Sequence, residues 1–234
     1  MARDLKISVV VPALNEEKLI EKCLQSLSNQ SLSRKDYEII VVDGGSTDKT
    51  LKIADKYADK IIKNIKSIGK ARDIGLRKAK AEIVAYTDAD TIVPNNWLDC
   101  MLTSYEDGVL GVTGPIKPLE NKILGKISFF IYNSILQTGV LLKEWGAIGN
   151  NFSVKKKAVQ KVGGFIFPVY EEFEIWTKLN KIGRTRYISD LYVVTSARRY
   201  LKLTSAFKNI LYGTKAFLMI KLGMTPENKW ERVD

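Results

Sequence analysis

Two carboxylates one residue apart, Asp88 and Asp90, close the short apolar run Glu82-Ile83-Val84-Ala85-Tyr86-Thr87. Acids thrust out where a buried strand ends offer the oxygen ligands that hard divalent cations take. Such a pair also arises by chance on loops, so its weight comes from its company. It is the third of three strand-end signals. The first is Val11-Pro12-Ala13-Leu14-Asn15-Glu16-Glu17 and the second is Val42-Asp43-Gly44-Gly45-Ser46-Thr47-Asp48. Three such signals in order predict a nucleotide-binding α/β enzyme with a metal.

Further candidates lie downstream. Gly69-Lys70-Ala71-Arg72-Asp73-Ile74-Gly75 opens a helix whose N-terminal dipole and basic side chains suit an anion, though a solvated basic turn would look the same. Glu171-Glu172-Phe173-Glu174 begins another helix; acids favour that position in any helix. Ser196-Ala197-Arg198-Arg199-Tyr200 is a basic turn whose arginines could grip a diphosphate or an anionic acceptor.

The elements that must position these residues alternate. Ile7–Val11, Glu38–Val42, Lys60–Ile62 and Ile83–Tyr86 read as strands. Pro12 cannot extend a strand interior, so a turn is expected there. Asn15 can cap a helix with Leu19, Ile20, Cys23, Leu24 and Leu27 on its apolar face, and Asp48 can open a second. Ala71–Ala79 is a third, and Pro94 precedes a fourth through Trp97, Leu98, Met101 and Leu102. The order predicts a mostly parallel central sheet with helices on both faces, and ligands at the carboxyl ends of its strands. Later come a strand at Val109–Thr113, a long apolar helix or helix pair at Ile123–Leu142, a strand at Phe152–Val154, a helix at Glu171–Ile182 and a strand at Tyr192–Ser196. Leu203–Leu222 is amphipathic; it either packs on the sheet or lies on a membrane. Residues 1–200 are expected to form one domain, with 201–234 as its C-terminal helix and tail.

The chain of 234 residues carries a formal charge of +11 and no histidine. The charge favours acidic partners such as nucleotides or phospholipid headgroups, or belongs to a lysine-rich surface. Without histidine, acid–base chemistry falls to carboxylates, lysine or tyrosine. Cys23 and Cys100 read as buried free thiols of a reducing compartment. With no visible signal peptide, a cytoplasmic location is expected, including the cytoplasmic face of a membrane. Asn151-Phe152-Ser153 matches a glycosylation pattern and is expected to be accidental. No basic stretch resembles a nucleic-acid motif, so no nucleic-acid partner is expected.

In this order the motifs resemble those of the family 2 glycosyltransferases, inverting enzymes with a GT-A fold, over roughly residues 5 to 200 by spacing. The resemblance implies a nucleotide-sugar donor, UDP- or GDP-linked, and an acceptor sugar or lipid phosphate; dolichol phosphate mannose synthase belongs to the family. Pro12, Glu16, Asp43, Lys70, Arg72 and Asp88 match donor-binding positions. Asp90 matches the ligand of a Mg2+ or Mn2+ ion. Glu172, beside Glu171, falls at the position of the base, with Glu where Asp is more usual. Two further departures are Gly44, where a second acid is usual, and Asp73, where Asn is usual. Arg199-Tyr200 looks like a reduced form of the Gln-x-x-Arg-Trp element of processive members, which speaks against polymer synthesis. The rival readings are a basic nucleic-acid- or membrane-binding module without chemistry, and a nucleotidyltransferase. The latter lacks a glycine-rich basic loop after the first strand.

Overall fold

The structure, a computed structural model, describes residues 4–106, 108–144 and 146–201, with Met219, Leu222 and Met224; of Arg199 it describes the backbone alone. The segment expected as a C-terminal helix, Leu203–Leu222, lies outside the described residues apart from Met219 and Leu222.

Continuous runs of β-branched residues make the central strands, as strands buried on both faces require. In chain order the strands are β1 (Ile7–Ala13), β2 (Tyr37–Asp43), β3 (Lys60–Ile62), β4 (Ile83–Tyr86), β5 (Thr91–Ile92), β6 (Val109–Thr113), β7 (Ile116–Pro118), β8 (Phe152–Lys155), β9 (Arg184–Tyr187) and β10 (Val193–Thr195). The helices are α1 (Ile20–Ser28), α2 (Thr50–Ala54), α3 (Ile68–Lys78), α4 (Trp97–Thr103), α5 (Ile123–Leu141), α6 (Lys156–Lys161) and α7 (Glu171–Asn180). A seven-stranded sheet runs β3-β2-β1-β4-β8-β6-β9, parallel except where β8 pairs antiparallel with β4 and β6. A small second sheet runs β5-β10-β7. Alternation along the strands divides the core. Val9, Val11, Ile39 and Val41 pack with α1, α4 and α5. Val10, Ile40 and Val42 pack with α3, α6 and α7 on the other face.

Two local expectations are corrected. β1 does not turn at Pro12 but runs through it, with Pro12 opposite Val42. The pairing of β1 with β4 ends at Val10–Tyr86, and the Val10 carbonyl accepts from Thr87 on that flank. Pro12, two residues on, turns its backbone to the same flank, where no ladder remains to need its missing N–H. Asn15 does not cap α1, which starts at Ile20 after Leu19. It sits instead at φ 53°, a left-handed conformation asparagine tolerates, and its Oδ1 accepts from the Thr47 amide at 2.9 Å. The amides of Asn15, Glu16 and Glu17 donate to Ser46, Thr50 and Asp48, so the loop after β1 is stitched to the loop after β2. Asp48 does serve the start of α2, accepting from the Thr50 amide.

Helix α3 begins a turn earlier than expected because Ser67 caps it, accepting from the Lys70 amide. It lies so close to β1 that a Cβ on Gly75 would fall inside the γ-methyls of Val10. Gly75→Ala should therefore lower stability by about 1–3 kcal/mol through overpacking. Denaturant unfolding would show this as a lower midpoint at unchanged slope; an unchanged midpoint would contradict the close approach.

Candidate active site

The three strand-end segments meet at one edge of the main sheet. Beneath them lies Arg72, 2 % exposed, on the inner face of α3. One of its terminal nitrogens bonds Asp88 Oδ1 at 3.0 Å and the Gly149 carbonyl at 2.7 Å. The other bonds Glu171 Oε1 and lies 3.7 Å from Glu172 Oε2. Its guanidinium also lies 5.7 Å from the centre of the Phe152 ring, which stacks on Tyr86. Glu171 is fully buried, whereas the Glu172 side chain keeps 14 % exposure. Arg72, expected on the nucleotide side, is thus turned inward, and its visible role is to position Asp88 and the two glutamates. Burial pushes the Glu172 carboxyl above its ordinary range, and the charge of Arg72 opposes that shift.

A second cation stands on the other side of the acid pair. Arg198, in the 3-10 turn Arg198–Tyr200, holds Glu16 with both terminal nitrogens, one contact at 3.2 Å, and reaches Asp90 Oδ2 at 3.3 Å. Thr195 of β10 donates to Asp90 Oδ1 at 3.4 Å, and Thr91 donates to Thr195 at 2.8 Å. Glu120 pins the turn by accepting from Ser196 Oγ and the Ala197 amide. The small sheet therefore ties residues 193–200 to the Asp88–Asp90 turn.

Asp43 ends β2 fully buried. Its Oδ2 accepts from the amides of Gly45 and Ser46, and among the described residues its Oδ1 has no hydrogen-bond partner. Gly45 adopts φ 103°, which a glycine allows freely, so the second turn forms with Gly44 in place of an acid. Lys70 is exposed in the first turn of α3. Asp73 accepts from the Phe165 amide at 3.3 Å, a bond that needs only a side-chain oxygen and that asparagine could equally make.

Two contributors escaped the sequence reading. Asn151 is fully buried, accepts from Trp97 Nε1, and donates to the carbonyls of Pro115 and Leu191. It fastens the start of β8, and its amide is fully engaged inside the fold. Glu120 carries no signal in the sequence, because its partner Ser196 lies 76 residues away.

As donors, Asp88 and Asp90 fit a divalent ion of the magnesium type. Such ions take one or two carboxylates and complete their shell with phosphate and water. Among the described residues no group of three or more acids or thiols is placed to hold a metal ion.

The architecture is that of the GT-A glycosyltransferases. The mannosyltransferase of Pyrobaculum calidifontis, solved with GDP-Man and Mn2+, superposes with a TM-score of 0.74 at 22% identity, covering 96% of this chain and 66% of that one. The family model for glycosyl transferase family 2 matches residues 8–163, and the chain belongs to that family. A dolichyl N-acetyl-alpha-D-glucosaminyl phosphate 3-beta-D-2,3-diacetamido-2,3-dideoxy-beta-D-glucuronosyltransferase from Methanococcus voltae is 28% identical over 248 aligned positions, 93% of this chain and 74% of that protein. A poly(ribitol-phosphate) beta-N-acetylglucosaminyltransferase of Staphylococcus aureus is 36% identical over 96 positions, 38% of this chain; the match spans 17% of its length.

Arg72→Met should cost about 3–5 kcal/mol, because it leaves the buried Glu171 without its counter-charge. Adding Glu171→Met should recover most of that loss. Unfolding of the single and double variants checks this; a double variant no more stable than Arg72→Met would contradict the pairing.

Proposed function

We propose that the chain transfers a sugar from a UDP- or GDP-linked donor to an acceptor, with inversion at the anomeric carbon. The observation that carries the reading is the convergence of Asp88 and Glu172 on Arg72 beside Asp90. One acid pair suits the diphosphate side, and one carboxylate stands apart from it with an exposed edge. In this reading Pro12 near the end of β1, Glu16 in the loop that follows, and the orphaned oxygen of Asp43 face the nucleoside. Asp43 would accept from a base N–H or a ribose hydroxyl. Lys70 and Arg198 lie toward the diphosphate, and Arg199 is assigned to the same acceptor or diphosphate side on sequence alone. Asp90, with Asp88 beside it, would hold a Mg2+ or Mn2+ ion, which would offset the charge growing on the leaving diphosphate.

Glu172 takes the proton of the acceptor hydroxyl as that oxygen attacks C1 opposite the leaving group, through an oxocarbenium-like transition state. Arg72 supports this by favouring the ionised form that burial disfavours. Two acceptors remain chemically distinct. A sugar hydroxyl needs the base, whereas a lipid phosphate is already ionised.

The test is Glu172→Gln. With a hydroxyl acceptor, turnover should fall by about 10²–10⁴-fold; with a phosphate acceptor it should change by less than about tenfold. A hydroxyl acceptor with unchanged turnover would overturn the base role.

A neutral carboxyl cannot take a proton, so kcat/KM should rise with pH through the raised value of Glu172. The acid limb would then lie above about 4.3, the usual glutamate value. The same shift favours the protonated chain. Its contribution to stability is full below the ordinary value and is lost as pH rises through the raised one. A pH–rate profile with its limb at or below the ordinary value would contradict the assignment.

A further inference from the structure

Helix α5 is two-faced in an unusual way. Gly125, Phe129, Leu136, Gly139 and Val140 are buried against the protein. The opposite face presents Ile123, Ile127, Phe130, Ile131 and Ile135 at 47–74% exposure, with Leu141 and Leu142 beyond at 75% and 62%. At ~100° per residue these positions span roughly 140° of one side of the helix. The polar residues inside that arc, Ser134 and Thr138, donate their hydroxyls to the carbonyls four residues back, at 3.0 and 2.9 Å. Their need for water is thereby met within the helix. No acid occurs from Lys122 to Lys143, while Lys122, Lys126 and Lys143 stand exposed around the apolar face.

We propose that this face is a membrane-docking surface, on which α5 lies flat at a bilayer carrying anionic lipid. An apolar face framed by lysines is the pattern of an interfacial helix. Spanning is excluded by the buried opposite face, and among the described residues no helix is long and apolar enough to cross a membrane. A second copy of the chain fits less well. Each copy carries +11, and antiparallel pairing of the two helices would bring lysine-bearing ends together. The placement also serves the site. The Phe129 ring meets Tyr200 edge-on at 5.6 Å, and Gly125 packs on Ala197, so the docked helix carries the turn that bears Arg198. A lipid headgroup at the bilayer surface would then arrive near that turn. This last step rests on the lipid-phosphate form of the proposed function, whereas the docking does not.

The test is flotation of the full chain with phosphatidylcholine vesicles and with vesicles that also contain phosphatidylglycerol. The chain should float with the anionic vesicles. Ile127→Glu/Phe130→Glu, both exposed and therefore tolerated by the fold, should weaken binding at least roughly tenfold. Lys122→Glu/Lys126→Glu should remove the preference for anionic lipid. Calorimetric binding of the donor nucleotide by each variant separates the two ideas, since loss of docking should leave it intact. Failure of the wild-type chain to float would overturn the proposal. So would equal binding by the apolar-face variant, which would place any membrane contact elsewhere. A dimer that this variant dissociates, without vesicle binding, would assign the face to a second copy instead.

Discussion

A guanidinium buried under the ends of the strands organises this molecule. Arg72 draws together residues far apart in the chain: Asp88 from the end of β4, Gly149 before β8, and Glu171 and Glu172 at the start of α7. Burying such a charge is costly unless its partners are close and well placed, and the same cost makes the partners hard to move. The network thus fixes the distance between Asp88 and Glu172. The aromatic pair Tyr86 and Phe152 closes it from below. Glycine at position 75 lets α3 approach β1 closely enough for Arg72 to reach in.

The second half of the chain completes what the first half begins. β1, β2 and β4 deliver Glu16, Asp43, Asp88 and Asp90 to one edge, which is the property of a parallel sheet. The small sheet β5-β10-β7 then brings Arg198 back across that edge. Glu120 holds the turn in place, and α5 packs behind it. The acids at the strand ends, a returning arginine and an apolar helix therefore form one continuous unit.

Much of this was legible in the sequence. Apolar runs, acids at their ends and the helix faces follow from local periodicity, and the parallel pairing of the first half follows from alternation. What was not legible depends on neighbours distant in sequence. Pro12 reads as a strand breaker because proline lacks an N–H, yet β4 ends where that donor would be wanted. Asn15 reads as a cap, yet its neighbours' amides find partners in the loop after β2. Arg72 reads as a nucleotide-side cation at a helix start, or as part of a solvated basic turn. Only the packing of α3 on β1 and α7 turns it inward. The roles of Asn151 and Glu120 have no local signature, because each bonds segments tens of residues away.

The measurement that tests the central claim most directly is calorimetric titration of the chain with UDP and with GDP, each with and without Mn2+, repeated on Asp90→Ala. The account predicts that one nucleotide binds, that binding strengthens with the metal, and that the variant loses the metal-dependent part. A folded chain that binds neither nucleotide, or an Asp90→Ala variant whose metal dependence is unchanged, would contradict it.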